Sequence, residues 1–233
     1  MRSKVYVETS VISYLTAWRS RDLVIAGNQE TTKEWWDRKD EFDVFISQFV
    51  LDEAGAGDSN AAHERINALK GIRELEVVEQ VIEIAQELII QTALPSKARL
   101  DALHIAVAAV HRMNFLLTWN CTHIANPMKR PTIENVIRGL GYVPLLSVPH
   151  KNYWRLSMKI TNQIIEEIHA FRAEYAQRYN YDLKAICEAA RQKQTQSGHE
   201  IVSFFVPDQP VDSTLSLKGE PRGQLAADTD FRR

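Results

Sequence analysis

The chain reads as an α/β fold. A central, mostly parallel sheet lies between helices in three layers, and a C-terminal helical extension follows. Three observations predict this. Short apolar, β-branched stretches alternate with longer helical patterns, which builds a parallel sheet covered on both faces. The apolar share of 45% is that of a chain with a real core. Beyond residue 149 the alternation stops and two amphipathic helices take over.

The elements follow in order. "KVYVE" (residues 4–8) alternates β-branched and aromatic residues and predicts a strand. Thr9 or Ser10 then caps a helix over "TSVISYLTAW". "RDLVIAGNQETTKEWWDRKD" predicts a longer helix that turns Leu23, Val24, Trp35 and Trp36 to the core. "DVFIS" (43–47) is the second strand, and helices begin at "QFVLDEAGAGD" and "NAAHERINALKGI". "LEVVE" (75–79) is the third strand, and helices over 80–92 and 96–112 break at Pro95. "NFLLT" (114–118) is a compact apolar strand, and "CTHIAN" makes a helical turn. Pro131 opens the helix "PTIENVIRGLG", which stops at Gly139 or Gly141. "VPLLSV" (143–148) is the last strand of a domain spanning 1–149.

Residues 150–157 read as a linker. In "TNQIIEEIHAFRAEYAQRYN", Ile164, Ile168, Phe171, Tyr175 and Tyr179 share one stripe, and charges cover the rest. Asn180 breaks this helix, and Asp182 caps "LKAICEAARQKQTQ", with Leu183, Ile186, Cys187 and Ala190 on one side. Gly198 ends the second helix, and "EIVSFFV" (200–206) predicts a strand. The remainder, 207–233, is rich in Pro, Asp, Gly and Ser and reads as a disordered tail. Segment 158–206 makes only a weak core by itself. Its apolar faces need a partner surface, either this chain's own α/β domain or that of a second copy in a homodimer.

The formal net charge of −2 advertises no global basic field, although a local basic groove fits inside a neutral total. Cys121 and Cys187 lie far apart and outside any C-x-x-C spacing, which argues against a disulfide framework or zinc site. No stretch reads as a signal peptide or a membrane span, so the expectation is a soluble cytoplasmic protein with no membrane partner.

Four polar side chains stand out. Ligand sites in open parallel sheets form beyond the C-terminal ends of strands. Glu8 ends the first strand and Asn120 follows "FLLT". Glu53 lies in the first turns of the helix after the second strand, and Asp101 near the start of the helix before "FLLT". All four can converge at one edge. Clustered hard oxygens suit Mg²⁺ or Mn²⁺, and mutually repelling carboxylates are stable together when a cation fills them. Taken singly, each acid reads first as an ordinary surface or capping group, and spacing alone does not prove convergence.

In order, "VYVETSVISYL", "SQFVLDEAGAGD", "RLDALHIAVA" and "LLTWNCTHIAN" resemble a PIN domain, most of all the VapC-type ribonucleases of bacterial toxin–antitoxin pairs. The resemblance covers about residues 3–148. It implies a PIN-like fold and a hydrolase acting on RNA phosphodiesters with a metal-activated water. Glu8, Glu53, Asp101 and Asn120 would be its catalytic residues and hold Mg²⁺ or Mn²⁺. The first family acid is usually Asp, so Glu8 is one methylene longer, and Asn120 is neutral. Both departures bear on catalysis more than on metal binding. Thr9, Ser10, Thr118 and His123 would orient the acids or touch substrate, with local capping and packing as the competing reading. His104, one turn after Asp101, reads as a buried, hydrogen-bonded histidine.

The stretch from Met158 to "IVSF" resembles the small helical proteins encoded beside PIN toxins. It implies an antitoxin-like partner, fused in cis as residues 158–206 or supplied in trans. Arg172, Arg178 and Arg191 can each approach the acidic pocket, and the sequence does not choose among them. A catalytically weak or inactive PIN scaffold that binds protein or RNA stays open as the alternative.

Overall fold

A computed structural model describes residues 2–92, 98–144, 146–148 and 163–206. The expected linker 150–157, the break at Pro95 and the tail 207–233 lie outside the described residues. Six strands, β1 (Lys4–Val7), β2 (Asp43–Ser47), β3 (Arg73–Leu75), β4 (Phe115–Leu117), β5 (Leu146–Val148) and β6 (Ile201–Val202), form one sheet in the order β5-β4-β1-β2-β3-β6. Every pairing is parallel, as the strand–helix alternation predicts. Tyr6 of β1 lies opposite Phe45 on one side and Leu116 on the other. From β1 the chain builds outward through β2 and β3, then crosses back to β4 and β5. That reversal opens a crevice at the C-terminal ends of β1 and its neighbours.

Nine described helices cover the sheet. They are α1 (Thr9–Thr16), α2 (Leu23–Asp37), α3 (Gln48–Ala54), α4 (Ser59–Leu69), α5 (Gln80–Thr92), α6 (Arg99–Val110), α7 (Arg130–Gly139), α8 (Gln163–Arg178) and α9 (Leu183–Gln194). Short acidic side chains start three of them. Asp22, Asp58 and Asp182 each accept backbone N–H groups from the first turn of the helix they precede, which satisfies otherwise orphaned donors. Helix α6 is buried all round from Leu100 to Val110, so it shows no amphipathic face.

Three local expectations are corrected. In α2, Leu23 is 87% exposed instead of core-facing; Trp35 and Trp36 do pack against the core as half-buried side chains, and Asn28, Gln29 and Thr32 face inward beside them. The helix docks through hydrogen bonds: Gln29 Nε2 donates to Trp18 O (2.9 Å), and Thr32 Oγ1 accepts from the Trp119 indole (2.8 Å). The third strand lies at Arg73–Leu75, earlier than "LEVVE" suggests. Val77 is buried, yet its N–H donates to the Gln194 side chain (2.9 Å) instead of a strand neighbour. The last strand, β6, spans only Ile201–Val202.

The extension joins the same core as the α/β domain. Tyr175, Ala176, Leu183, Ile186, Cys187 and Ala190 are buried in it, and β6 extends the sheet beside β3. The predicted stripes on α8 and α9 therefore find their partner surface within this chain.

Candidate metal centre

Glu8 lies just past β1, in extended backbone with φ −90° and ψ 156°. Its N–H still donates to Leu117 O (3.0 Å), so strand pairing reaches this residue before the chain turns into α1. The two carboxylate oxygens divide the work. Oε2 accepts from Ser10 N–H (3.1 Å), from Thr118 Oγ1 (2.7 Å) and from Ser10 Oγ. Oε1 is left for the crevice. The capping reading of Glu8 holds for one oxygen, which caps α1, while the other faces a pocket shared with Glu53 and Asp101. Glu53 reaches that pocket from α3, and Asp101 from the first turn of α6. All three are buried, at 0%, 5% and 1% exposure.

The group that unites them is Arg172 of α8, itself fully buried. Its Nε donates to Glu53 Oε1 (2.7 Å) and its Nη2 to Glu53 Oε2 (2.8 Å), a bidentate pair. Nη2 also contacts Glu8 Oε1, and Nη1 contacts Asp101 Oδ1. Each guanidinium nitrogen is committed to a carboxylate. The other two candidate arginines go elsewhere: Arg178 pairs with Glu174 on its own helix (2.6 Å), and Arg191 reaches Glu79 (2.9 Å). Sequence reasoning did not single out Arg172. The available signal was its position four residues after Ile168 and three before Tyr175, a charge inside an otherwise apolar stripe.

Three carboxylates against one guanidinium leave an excess of negative charge. Burial pushes the Glu53 carboxyl up, but Arg172 and then His104 outweigh it and hold Glu53 well below the ordinary carboxylate range. Burial acts on Asp101 in the same way, and Arg172 and His123 bring it below its usual value. Burial disfavours the Arg172 charge, yet the facing carboxylates keep it firmly protonated.

A second ring of side chains fixes the acids. Asn120 Nδ2 donates to Asp101 Oδ1 (3.0 Å), while its Oδ1 accepts from His123 N–H (3.1 Å). Asn120 thus adjoins the pocket through Asp101 and also caps the "CTHIAN" turn. His123 Nδ1 lies 2.7 Å from Asp101 Oδ2. His104 Nε2 lies 3.1 Å from Glu53 Oε1, and its Nδ1 meets Tyr6 Oη at 2.7 Å. A carboxylate only accepts, so His104 carries its proton on Nε2. Tyr6 continues the chain to Ser47 Oγ (2.7 Å). Ser10 Oγ also accepts from Trp119 N–H, and Thr118 Oγ1 from Asn120 N–H. These bonds tie the ends of β1 and β4 together. Thr9 Oγ1 is buried without a hydrogen-bond partner.

The pocket gathers acids around a positive charge. Three hard oxygen donors from three different elements face one positive group. This donor set fits Mg²⁺ or Mn²⁺, and a guanidinium fills the cation's place. Buried acids at the switch point of a parallel α/β sheet lie where such folds hold their ligands. Residues 5–120 match the family described as the PIN domain. The chain therefore carries a PIN domain, and Glu8, Glu53, Asp101 and Asn120 all fall inside the matched stretch. PIN domains are generally metal-dependent nucleases, and this chain has a clustered set of acids of the kind they use. Comparison with curated proteins and with solved structures gave no match. Among the described residues, no helix is long and apolar enough to cross a membrane.

Proposed function

We propose that this chain is a Mg²⁺- or Mn²⁺-dependent endoribonuclease of the VapC toxin type, held closed by its own antitoxin-like segment. The observation that carries this reading is Arg172, a single buried guanidinium from the extension bonded to Glu8, Glu53 and Asp101. Those three acids would hold the ion, and Asn120 would steer Asp101 or join them once Arg172 has left. When bound, a divalent ion supplies an activated water and neutralises charge at the phosphodiester. The protein's own part is positioning. Ser10 and Thr118 fix Glu8, His104 fixes Glu53, and Asn120 with His123 fixes Asp101. Arg172 keeps both metal and RNA out of the pocket. Fusion in cis makes this inhibition intramolecular, with a high effective concentration.

The test compares full-length wild type, Arg172→Ala and Arg172→Ala/Asp101→Asn on single-stranded RNA with Mg²⁺ or Mn²⁺. Little cleavage is expected from wild type, metal-dependent cleavage from the single variant, and none from the double. A folded Arg172→Ala chain that binds metal yet leaves RNA intact would sink the nuclease reading. That outcome would favour the second reading, a catalytically idle PIN scaffold, which draws support from Asn120 having both side-chain ends engaged. A parallel single-stranded DNA substrate separates an RNA-directed enzyme from a DNA-directed one.

A further inference from the structure

One cluster at the pocket's rim is not explained by this reading. His169 lies on α8 three residues before Arg172, and its ring packs against His123 of the PIN domain. The ring centroids are 5.1 Å apart and the planes are tilted by 35°. Two imidazoles on one tetrahedral ion, with metal–nitrogen bonds of about 2.0–2.1 Å, hold their centroids about 5 Å apart. One nitrogen from each ring and one oxygen of Asp101 lie within 4.8 Å of one another. Asp101 has an oxygen for each side: Oδ1 takes Arg172 and Asn120, while Oδ2 faces His123. The Nε2 atom of His169 is buried and has no hydrogen-bond partner. Leaving a buried imidazole nitrogen unsatisfied is unfavourable, and a metal ion would satisfy it.

We propose that Asp101, His123 and His169 form a second metal site, for a borderline divalent ion such as Zn²⁺, that clamps α8 onto the PIN domain. Two imidazoles and a carboxylate are a donor set that Zn²⁺ takes, with a fourth position left for water, whereas Mg²⁺ favours all-oxygen ligands. The site needs no cysteine, so the cysteine spacing that argues against zinc does not bear on it. The site is complete only while α8 is docked, because His169 comes from the extension. An ion that binds only the docked form stabilises that form by linkage. Zn²⁺ and Mg²⁺ then act in opposite directions. The first tightens the closure around Arg172, and the second needs that closure open. The effect on nuclease activity rests on the function proposed above; the binding itself does not.

The experiment uses the full-length chain, stripped of metal and titrated with Co²⁺ and then Zn²⁺. One Co²⁺ per chain is expected, with the visible ligand-field absorption of a four-coordinate site that Zn²⁺ abolishes. Zn²⁺ is also expected to raise the melting temperature, and Mg²⁺ is not. His169→Gln and His123→Gln, both of similar size, are expected to weaken binding by more than about ten-fold and to remove the thermal shift. His63→Ala, on the exposed face of α4, is expected to change neither. Unchanged Co²⁺ absorption and Zn²⁺ affinity in His169→Gln overturn the proposal, as does the lack of stoichiometric binding in wild type. None of these measurements involves RNA. An inactive nuclease would leave the clamp standing, and an absent clamp would leave the nuclease standing.

Discussion

Arg172 is the side chain on which the closed site depends. Removing one member of a buried ion cluster leaves the others charged and unpaired, a loss of about 3–5 kcal/mol. Arg172→Ala is therefore expected to lower the unfolding free energy by that amount in denaturant titrations without divalent ions. Millimolar Mg²⁺ or Mn²⁺ should restore part of it, while wild type should respond weakly. Arg172→Lys keeps the charge but loses the planar fork that engages Glu53 twice and its neighbours once each. It should recover only a minor share. An Arg172→Ala chain as stable as wild type without metal would contradict the account. Glu8 is legible in the sequence because it sits at a strand exit and Asp101 because it sits in a first helical turn, whereas Glu53 lies near the end of the short helix α3. Their common partner is not legible there. Arg172 lies 119 residues from Glu53 and 71 from Asp101, and no local pattern reports a contact that only docking of α8 creates.

Helix α9 is anchored at both ends by polar side chains. Asp182 caps its start by accepting from Lys184 N–H (2.9 Å), and Asp182→Ala should cost about 1 kcal/mol. At its other end, Gln194 Nε2 donates to Glu74 Oε1 (2.7 Å) and Leu75 O (2.9 Å), and its Oε1 accepts from Val77 N–H (2.9 Å). Gln194→Ala removes three bonds, one of them to a buried carboxyl. A loss of about 3 kcal/mol is expected, measured as a shift in the urea midpoint. A loss under 1 kcal/mol would show that water replaces Gln194 without penalty. The same contacts explain why β3 lies earlier in the chain than the β-branched pattern predicts. "REL" looks too polar for a buried strand, yet Glu74 is fully buried there because Gln194 arrives from far along the chain. "VVE" carries the β-branched signal, but its backbone is drawn to α9. The helices were easier to place, since caps such as Asp182 and the Pro131 start are local. Asn180 and Tyr181, with φ of 51° and 59°, form the turn between α8 and α9, at the break that Asn180 predicts.

The protein as a whole should show an acid limb set by its pocket. Glu53 and Asp101 have folded-state pKa values below their ordinary 4.5 and 3.8. Such groups contribute stability that is fully present above the unfolded value and is lost as pH falls through the folded one. Between pH 5 and 8 they should add no slope, and below about pH 4.5 stability should drop. In Arg172→Ala the sign inverts over the mildly acid range. Carboxylates buried without a counter-charge gain from protonation, so that variant should become more stable from pH 7 to pH 5. Thermal unfolding of both proteins across this range checks the contrast, and parallel profiles would refute it.

The sixth strand carries one more consequence. Val202 and Ile201 cover the flank of β3, which would otherwise present unpaired backbone groups along the side of the sheet. Opening the pocket by lifting α8 alone leaves that flank covered. Shedding all of residues 163–206 uncovers it. The two routes to an open site therefore have different lifetimes in solution. The first yields a chain that stays dispersed and can close again. The second yields one that recruits foreign strands and drifts toward aggregation, so a chain ending at residue 157 should scatter light at concentrations where full-length Arg172→Ala stays clear.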